Sequence, residues 1–421
     1  MTAPLAPDCF AYGGARLTVR AAQELLRERT APVVASERVA LGEACGRSLA
    51  APLLAARNVP AFDNAAVDGY AFAHRAGMAE NGASLRLAPG RAAAGHPFPG
   101  SAPTDTAVRI LTGAPLPSGT DTVALQEQVR VADGAVLLPP GLAAGANRRR
   151  AGEDVAAGTR LLDTGTLLRP QEVGLAAALG LAELSVHAPL RVALLSSGDE
   201  LVGAGGTLGH GQVFDANRPI LHALLRSLPT VVTDFGILPD SEGAVREALL
   251  AASTDHHVVL ASGGASHGDE DHVVRVVQAL GRLDFWQVAM KPGHPLAFGR
   301  LGDAVFAGLA GNPVAAMVGF LLFARPVLRR LAGFAWELPR AVPVPAGFSL
   351  TRRAGRSEYP RGRLRHGALG PRVERIARQG SGMLTSMAAA QGLIELDDAR
   401  ETVQEGELVP WLGFAELGIP F

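Results

Sequence analysis

The feature that most constrains the fold is the alternation of apolar runs and helical segments between residues 189 and 333. Five short apolar runs are separated by segments with helical periodicity, and they read RVALLSS, TVVTDFGIL, HVVLAS, LDFWQVA and AVFAGLA. Strands that are apolar throughout are buried on both faces, as happens when helices cover both sides of a parallel sheet. We therefore predict an open, doubly wound α/β sheet with parallel strands in this region.

The regions on either side have different patterns. Residues 55–150 are rich in glycine, proline and threonine and contain short alternating runs, which is typical of a small β-rich domain. Residues 334–421 contain short strands and turns after the last helical segment, and they predict a second small β domain. Residues 1–54 and 151–188 combine short helices with extended pieces.

The composition excludes several classes of protein. A formal net charge of −1 gives no broad attraction to nucleic acid or to an acidic membrane surface. Two cysteines, Cys9 and Cys45, do not make a disulfide framework or a cysteine metal site. No run of about 18 apolar residues is present, and the first residues do not have the pattern of a signal peptide. We expect a soluble cytoplasmic protein without nucleic-acid or membrane partners.

Three loops follow strands of the predicted sheet and carry polar side chains and glycines. They contribute Ser197, Gly198 and Glu200; Gly263, Gly264, Gly268 and Asp271; and Lys291, His294, Pro295 and Asn312. The carboxyl ends of the strands in such a sheet form the ligand-binding edge. Backbone donors, acidic groups and an ammonium there suit a phosphate-bearing substrate with a divalent cation. A glycine-rich turn also occurs for steric reasons alone, and this feature by itself does not separate the two interpretations.

Lys291 is the single lysine of the chain, and the remaining 38 of the 39 lysine and arginine residues are arginine. Arginine has replaced lysine almost everywhere the two are interchangeable. The exception indicates a position that needs a compact ammonium on a flexible stem, although chance is the plain alternative.

Acidic residues outside the sheet domain have two interpretations. Asp68 lies in FDNAAVDGYAF, where Asx turns are as plausible as a functional role. Asp154 lies in RRRAGEDV, and a charge run of this kind is more often a solvated surface.

Two further groups of side chains allow alternatives. Arg361 and Ser381 combine a guanidinium with a hydroxyl, which suits an oxyanion, although surface hairpins contain the same residues. His267 and His272 lie beside Asp271 and would make a histidine-type metal site, but oxygen ligands near a phosphate favour Mg²⁺.

The motifs together resemble those of the molybdopterin molybdenumtransferases, the MoeA family, which is related to the gephyrin E domain. The resemblance covers essentially the whole chain and is carried, in order, by FDNAAVDGYAF, RRRAGEDV, SSGDEL, SGGASHGDEDH, KPGHPLAFG, GNPVAA, GRSEYPRG and QGSGMLTSM. It implies an elongated homodimer of four-domain subunits. These domains would be a discontinuous dimerisation domain (1–54 and 151–188), an inserted β-rich domain (55–150), a molybdopterin-binding sheet domain (189–333) and a C-terminal β-barrel-like domain (334–421).

The resemblance also implies a reaction and a place for it. Adenylylated molybdopterin and molybdate would be converted into molybdenum cofactor and AMP in a Mg²⁺-dependent step. The active site would lie between the sheet domain of one subunit and the inserted β domain of its partner.

Site residues carried over from the resemblance form three groups. The catalytic group is Asp68, Asp154, Glu200, Asp271 and Lys291, in which Glu200 and Asp271 would bind Mg²⁺. The molybdate group is Lys291, His294, Pro295, Arg361 and Ser381. The nucleotide and pterin group is Ser197, Gly198, Gly263, Gly264, Gly268 and Asn312.

The chain departs from the usual family pattern at Gln287 and His294, where lysines are expected, and at Ala65 and Ala315, where serines are expected. These departures remove contacts to an anion and bear on molybdate affinity, since His294 is fully charged only below its pKa. Three alternatives stay open: a catalytically weakened relative or scaffold, an enzyme that prefers tungstate, and the adenylyltransferase of the preceding step. The last group usually has the sheet domain alone, and the additional domains argue against it.

Overall fold

The centre of the molecule is a six-stranded sheet, described here from a computed structural model that covers residues 16–263, 272–368 and 370–419. Its strands are β1 (Leu190–Ser197), β2 (Thr230–Leu238), β3 (Val258–Ser262), β4 (Arg282–Gln287), β5 (Pro295–Leu301) and β6 (Ala304–Leu309). The spatial order is β2-β1-β3-β6-β5-β4. The accompanying helices are α1 (Asn217–Leu225), α2 (Glu242–Asp255), α3 (His272–Leu280), α4 (Pro313–Gly319) and α5 (Arg325–Leu331). Two-residue strands lie at Leu201–Val202, Val213–Phe214 and Met290–Lys291.

Both faces of the sheet are buried. Along β1, Val192 and Leu194 belong to the core that includes residues of α1, α4 and α5, whereas Ala193 and Leu195 belong to the core that includes residues of α2 and α3. Because neighbouring residues of a strand point to opposite faces, this division places helices on both sides. The apolar runs in the sequence therefore correspond to strands that are covered twice, as predicted.

The five predicted strands run in one direction, but the sheet also contains β5, which pairs antiparallel with both β4 and β6. Only Gly302 and Asp303 separate β5 from β6, and so short a connection produces a hairpin and not a parallel crossover. Strand β4 still runs in the same direction as β6. The loop that contains Lys291 therefore remains at the carboxyl edge of the sheet.

Pro326 interrupts the last helical segment near the start of α5. Proline has no N–H, so the carbonyl four residues earlier, that of Leu322, has no helical donor from this position. The side-chain amide of Gln23 donates to that carbonyl at 3.1 Å, and the backbone widens to a π-helix over Phe320–Ala324. Gln23 belongs to the first helix of the chain, which this contact attaches to the sheet domain.

Two small antiparallel pairs join the segments that flank the inserted domain. Ser36–Ala40 pairs with Glu183–His187, and Leu53–Leu54 pairs with Arg160–Leu162. The helices of this region are Val19–Arg29, Leu41–Ala44 and Pro170–Ala178.

The inserted domain is built on a six-stranded sheet. In spatial order its strands are Thr122–Leu125, Gly69–Phe72, Thr106–Ile110, Ala83–Ala92, Ala135–Leu138 and Arg130–Ala132. The two-residue strands Asn64–Ala65 and Arg148–Arg149 pair beside it, and short helical turns lie at Met78–Asn81 and Gln126–Gln128.

The C-terminal domain contains a five-stranded antiparallel sheet. In spatial order its strands are Val342–Pro345, Leu408–Gly413, Gly392–Ile394, Arg361–Gly367 and Gly370–Arg375. An isolated bridge between Ala346 and Val373 brings the two edges together. Shorter strands lie at Leu350–Thr351, Ser357–Glu358 and Thr402–Val403, and a helix at Leu384–Ala388. The predicted multidomain α/β class is confirmed, and β5 is an additional antiparallel strand of the sheet.

Across the described residues, we find no helix with both the length and the apolar character needed to cross a bilayer.

Candidate active site

A cavity of about 970 Å³ lies where the carboxyl edge of the sheet meets the C-terminal domain. The backbone N–H of Val314, at the start of α4, donates to the carbonyl of Ser381 at 3.0 Å and joins the two walls. Candidates from the sequence that line the cavity are Glu200, Lys291, His294, Pro295, Asn312, Arg361 and Ser381. Residues far apart in the chain, from two domains, thus share one hollow.

Ser197, Gly198 and Gly263 lie at the ends of β1 and β3 and are not among the residues that line the cavity. Gly263 has a φ of +87°, and a Cβ there would lie 2.5 Å from the carbonyl oxygen of Ser197. Only glycine permits this approach of the two backbones. Gly264, Gly268 and Asp271 lie outside the described residues.

Glu200 presents an exposed carboxylate to the cavity. It folds back over Gly198, where a Cβ would lie 2.4 Å from one carboxylate oxygen. Glu200 forms no ion pair with any of the described residues. The described residues also contain no group of three or more His, Cys, Asp or Glu side chains that could hold a metal ion. A cation at Glu200 would therefore need further ligands from Asp271, a substrate or water.

Lys291 reaches the cavity from the turn before β5. Its side chain is 53% exposed, and Nζ lies 3.7 Å from Oε2 of Glu358. The ammonium is therefore held by one carboxylate while remaining open to the cavity.

Arg361 is the deeply placed cation of the cavity, with 3% of its surface exposed. Its guanidinium donates to Ser386 Oγ at 3.2 Å and to the carbonyl of Gly380 at 3.0 Å. No carboxylate of the described residues forms an ion pair with it, and burial lowers the pKa of Arg361. A buried cation without a counter-charge favours binding of an anion.

His294 is partly buried beside Lys291, and its Nδ1 lies 3.4 Å from the carbonyl oxygen of Val288. Burial is the main cause that lowers the pKa of His294, and the positive charges of Arg16, Arg356 and Lys291 lower it further. The imidazole is consequently neutral at pH 7, and it supplies a hydrogen-bonding group and not a full charge.

Asp68 and Asp154 do not line this cavity within the same chain. Asp68 accepts hydrogen bonds from the backbone N–H and the hydroxyl of Thr112, both at 2.7 Å, and these bonds lower the pKa of Asp68. Asp154 is exposed in a separate hollow of about 380 Å³ that Asn64 and Arg149 also line. Asp68 therefore lies within the inserted domain, and Asp154 lies where the chain leaves that domain.

Several cavity residues were not singled out from the sequence. Asn217 donates from Nδ2 to Ser262 Oγ and to the carbonyl of Gly311, both at 2.7 Å, and its buried Oδ1 has no partner among the described residues. Asp215 accepts the N–H groups of Asn217 and Arg218 and so caps α1. The motif FDANRP carries an available signal, since polar residues precede a helix there.

Glu358 and Arg375 also line the cavity and were missed. Glu358 lies in GRSEYPRG, three residues before Arg361, and nothing in the motif distinguishes it from an ordinary surface glutamate.

Family profiles match almost the entire chain in three segments. They are described as the MoeA N-terminal region (domain I and II) at residues 17–180, a probable molybdopterin binding domain at 193–330 and the MoeA C-terminal region (domain IV) at 343–414.

Individual proteins agree with these profiles. The chain is 38% identical to the molybdopterin molybdenumtransferase of Haemophilus influenzae over 93% of its own length and 97% of the relative. It is 34% identical to molybdopterin molybdenumtransferase 2 of Mycobacterium tuberculosis, covering 89% of this chain and 94% of that one. The crystal structure of the molybdopterin biosynthesis moeA protein from Pyrococcus horikoshii OT3 matches with a TM-score of 0.80 and 27% identity, over 94% of this chain and 100% of that structure.

Proposed function

The chain belongs to the MoeA family, and from this membership we propose that it is a molybdopterin molybdenumtransferase that inserts molybdenum from molybdate into adenylylated molybdopterin and releases AMP. The observation that carries the proposal is the composition of the cavity. It combines the exposed carboxylate of Glu200 with the ammonium of Lys291 and the buried guanidinium of Arg361. Cations and carboxylate in one hollow suit a reaction between an oxyanion and a phosphoanhydride.

Molybdate binding is assigned to Lys291, Arg361 and Ser381, with His294 and Pro295 beside them. Support comes from Arg361, which has no carboxylate partner among the described residues and loses charge stabilisation by burial. A dianion would restore that stabilisation through charge-assisted hydrogen bonds. The hydroxyl of Ser381 adds a neutral donor at the same wall.

The pterin and nucleotide end of the substrate is assigned to the sheet edge, at Ser197, Gly198, Gly263, Gly264, Gly268 and Asn312. The close approach of the backbones at Ser197 and Gly263 supports this assignment, since backbone N–H groups bind phosphates where side chains do not intervene. Asn312 lines the cavity at the start of α4, where Pro313 takes the first helical position.

Glu200 and Asp271 are proposed to hold Mg²⁺. The carboxylate of Glu200 fits this role because it faces the cavity without an ion-pair partner in the described part of the chain. When bound, Mg²⁺ would supply neutralisation of the negative charge on the leaving AMP.

We assign Asp68 and Asp154 to the cavity of the partner subunit, so that each active site is completed by two chains. Neither carboxylate lines the cavity of its own chain, and the hydrogen bonds from Thr112 favour the ionised form of Asp68. An ionised carboxylate there can orient water or contact the metal.

Two experiments test the proposed function. Purified protein supplied with adenylylated molybdopterin, molybdate and Mg²⁺ should form molybdenum cofactor and AMP, and the gene should restore a strain that lacks molybdenum insertion. The Asp271→Ala variant should fail in both assays.

Other outcomes favour the alternatives. Release of pyrophosphate from molybdopterin and Mg-ATP would indicate an adenylyltransferase. Failure to bind molybdopterin or to restore the strain would indicate a scaffold, and faster product formation with tungstate would change the metal that is inserted.

A further inference from the structure

Lys291 is joined to the C-terminal domain by a short parallel ladder. Lys291 lies opposite Glu358, and Met290 lies opposite Ser357. The N–H of Ser357 donates to the carbonyl of Ala289 at 2.9 Å, and the N–H of Tyr359 donates to the carbonyl of Lys291 at 2.8 Å. The backbone therefore holds a lysine of one domain beside a glutamate of another.

The carboxylate of Glu358 contacts three cations. Its oxygens lie 3.7 Å from Lys291 Nζ, 3.3 Å from Arg356 Nε and 3.7 Å from Arg352 Nε. The side chain of Glu358 is 13% exposed, and it lines the cavity together with Lys291 and Arg356. One shielded carboxylate thus gathers two cations that face the cavity.

Arg352 has a different role from the other two cations. It is 4% exposed, and its guanidinium donates to the carbonyls of Asp397, Arg400 and Arg356. Since these bonds hold it in place, Arg352 is a permanent counter-charge for Glu358. The cluster of three cations and one carboxylate keeps an excess of positive charge beside the cavity.

We propose that Glu358 is a positioning residue, which holds the ammonium of Lys291 at the cavity wall and so sets the affinity for the molybdate oxyanion without contacting it. This inference rests on the proposed function. A free lysine must lose rotamer freedom when the oxyanion binds, and Lys291 and Arg356 repel each other as they approach one anion. Glu358 imposes this arrangement before the anion arrives.

The proposal predicts a direction that simple charge counting does not. Removing a negative charge beside an anion site strengthens binding if only the summed charge matters. Removing a positioning carboxylate weakens binding, because Lys291 is released. The sign of the change in the Glu358→Gln variant therefore separates the two explanations.

The experiment is a double-mutant cycle in the molybdate-dependent reaction. We expect Glu358→Gln to raise KM for molybdate about tenfold and to change kcat at saturating molybdate less than about twofold. In a Lys291→Ala background, Glu358→Gln should cause no further rise in KM. Glu374→Gln is the matched control, because Glu374 also pairs with two arginines of the same domain, Arg363 and Arg365, outside the cavity lining. It should keep the KM of the wild type.

Each remaining outcome has a defined meaning. An equal rise in KM in both backgrounds, or a lower KM in Glu358→Gln, overturns the inference. If Glu358→Gln does not fold, Glu358→Asp, which keeps the charge on a shorter side chain, should show a smaller rise, and an unchanged KM there also overturns it. A wild-type enzyme that forms no product from molybdate contradicts the proposed function itself.

Discussion

Lys291 illustrates how much one side chain contributes to the proposed site. Its half-exposed ammonium lines the cavity, 3.7 Å from Glu358, whereas the buried cation of the same cavity is Arg361. The two cations have different tasks: Arg361 is fixed by neutral partners, and Lys291 remains open to an anion. An arginine at position 291 would be longer, and its planar guanidinium would pair with both carboxylate oxygens of Glu358 and so face the cavity less.

We expect Lys291→Arg to raise KM for molybdate about tenfold, which corresponds to about 1.4 kcal/mol of lost binding free energy. Steady-state assays at limiting molybdate measure the effect. The control is Arg20→Lys, the opposite substitution at an exposed residue that pairs with Glu24. It should leave KM for molybdate unchanged. Wild-type KM in Lys291→Arg would show that any cation suffices at this position.

His294 predicts a dependence of anion binding on pH. The pKa of His294 lies below the ordinary 6.5, since burial and the charges of Arg16, Arg356 and Lys291 oppose protonation. As pH falls below 6.5 toward the lowered pKa, the imidazole gains charge, and affinity for the oxyanion should rise about three- to tenfold. Calorimetric titration with molybdate measures this rise, and His294→Gln should reduce it at matched pH values.

Folding stability should change in the opposite sense. Below pH 6.5 the unfolded chain protonates His294 more readily than the folded chain does, because the folded pKa is depressed. The contribution of His294 to stability is therefore present above pH 6.5 and is lost as pH falls through the folded pKa. Denaturation of the wild type and of His294→Gln across this range tests the sign.

Sequence reasoning identified the residues with distinctive chemistry and missed those that act through contacts. Glu200, Lys291, Arg361 and Ser381 could be named because their types and motifs stand out, and they share one cavity. Glu358 could not be named from the sequence, since its proposed role depends on three cations that lie around it only in the folded chain.

At the scale of elements, the short connections of the sheet domain matter most. The apolar runs predict β1 to β4 and β6, whereas β5 begins at Pro295 directly after a turn, in a segment whose motif predicts a loop. Its reversed direction follows from the two residues that separate it from β6. Periodicity identifies that a segment is a strand, whereas the length of the connection decides its direction.

Glycine at the end of β3 gives a stability prediction. Gly263→Ala should lower stability by about 1–3 kcal/mol, because a Cβ would approach Ser197 O within 2.5 Å at a φ of +87°. Gly174 is the matched control, since it lies in the helix Pro170–Ala178 with nothing within 4 Å of an added Cβ. Gly174→Ala should raise stability by about 0.5–1 kcal/mol. Thermal denaturation compares the two, and equal effects would contradict the proposed close approach.

At the scale of the whole molecule, the distribution of carboxylates argues for two chains per active site. Glu200 lines the cavity, while Asp68 lies on the inserted domain and Asp154 lies directly after it in the chain, in a separate hollow shared with Asn64 and Arg149. A dimer in which the inserted domain of one chain covers the cavity of the other would bring the sets together.

Mixed dimers test this arrangement. We expect Asp68→Asn and Glu200→Ala to be inactive alone, and co-expression to restore about a quarter of the wild-type sites, since half of the dimers are mixed and each has one intact site. Product formation by the co-expressed enzyme provides the measurement. No restoration, with mixed dimers confirmed by mass, would place the complete site within one chain.

The ladder between residues 290–291 and 357–358 also limits how such enzymes can be recombined. A chimera that takes its last domain from a relative receives Glu358, Arg352 and Arg361 as a set, yet keeps its own Lys291 turn. The two strands of this ladder, and the charges that they carry, then come from different proteins. A chimera should fold and remain active when residues 289–291 are transferred together with the last domain. The last domain alone is not expected to be exchangeable.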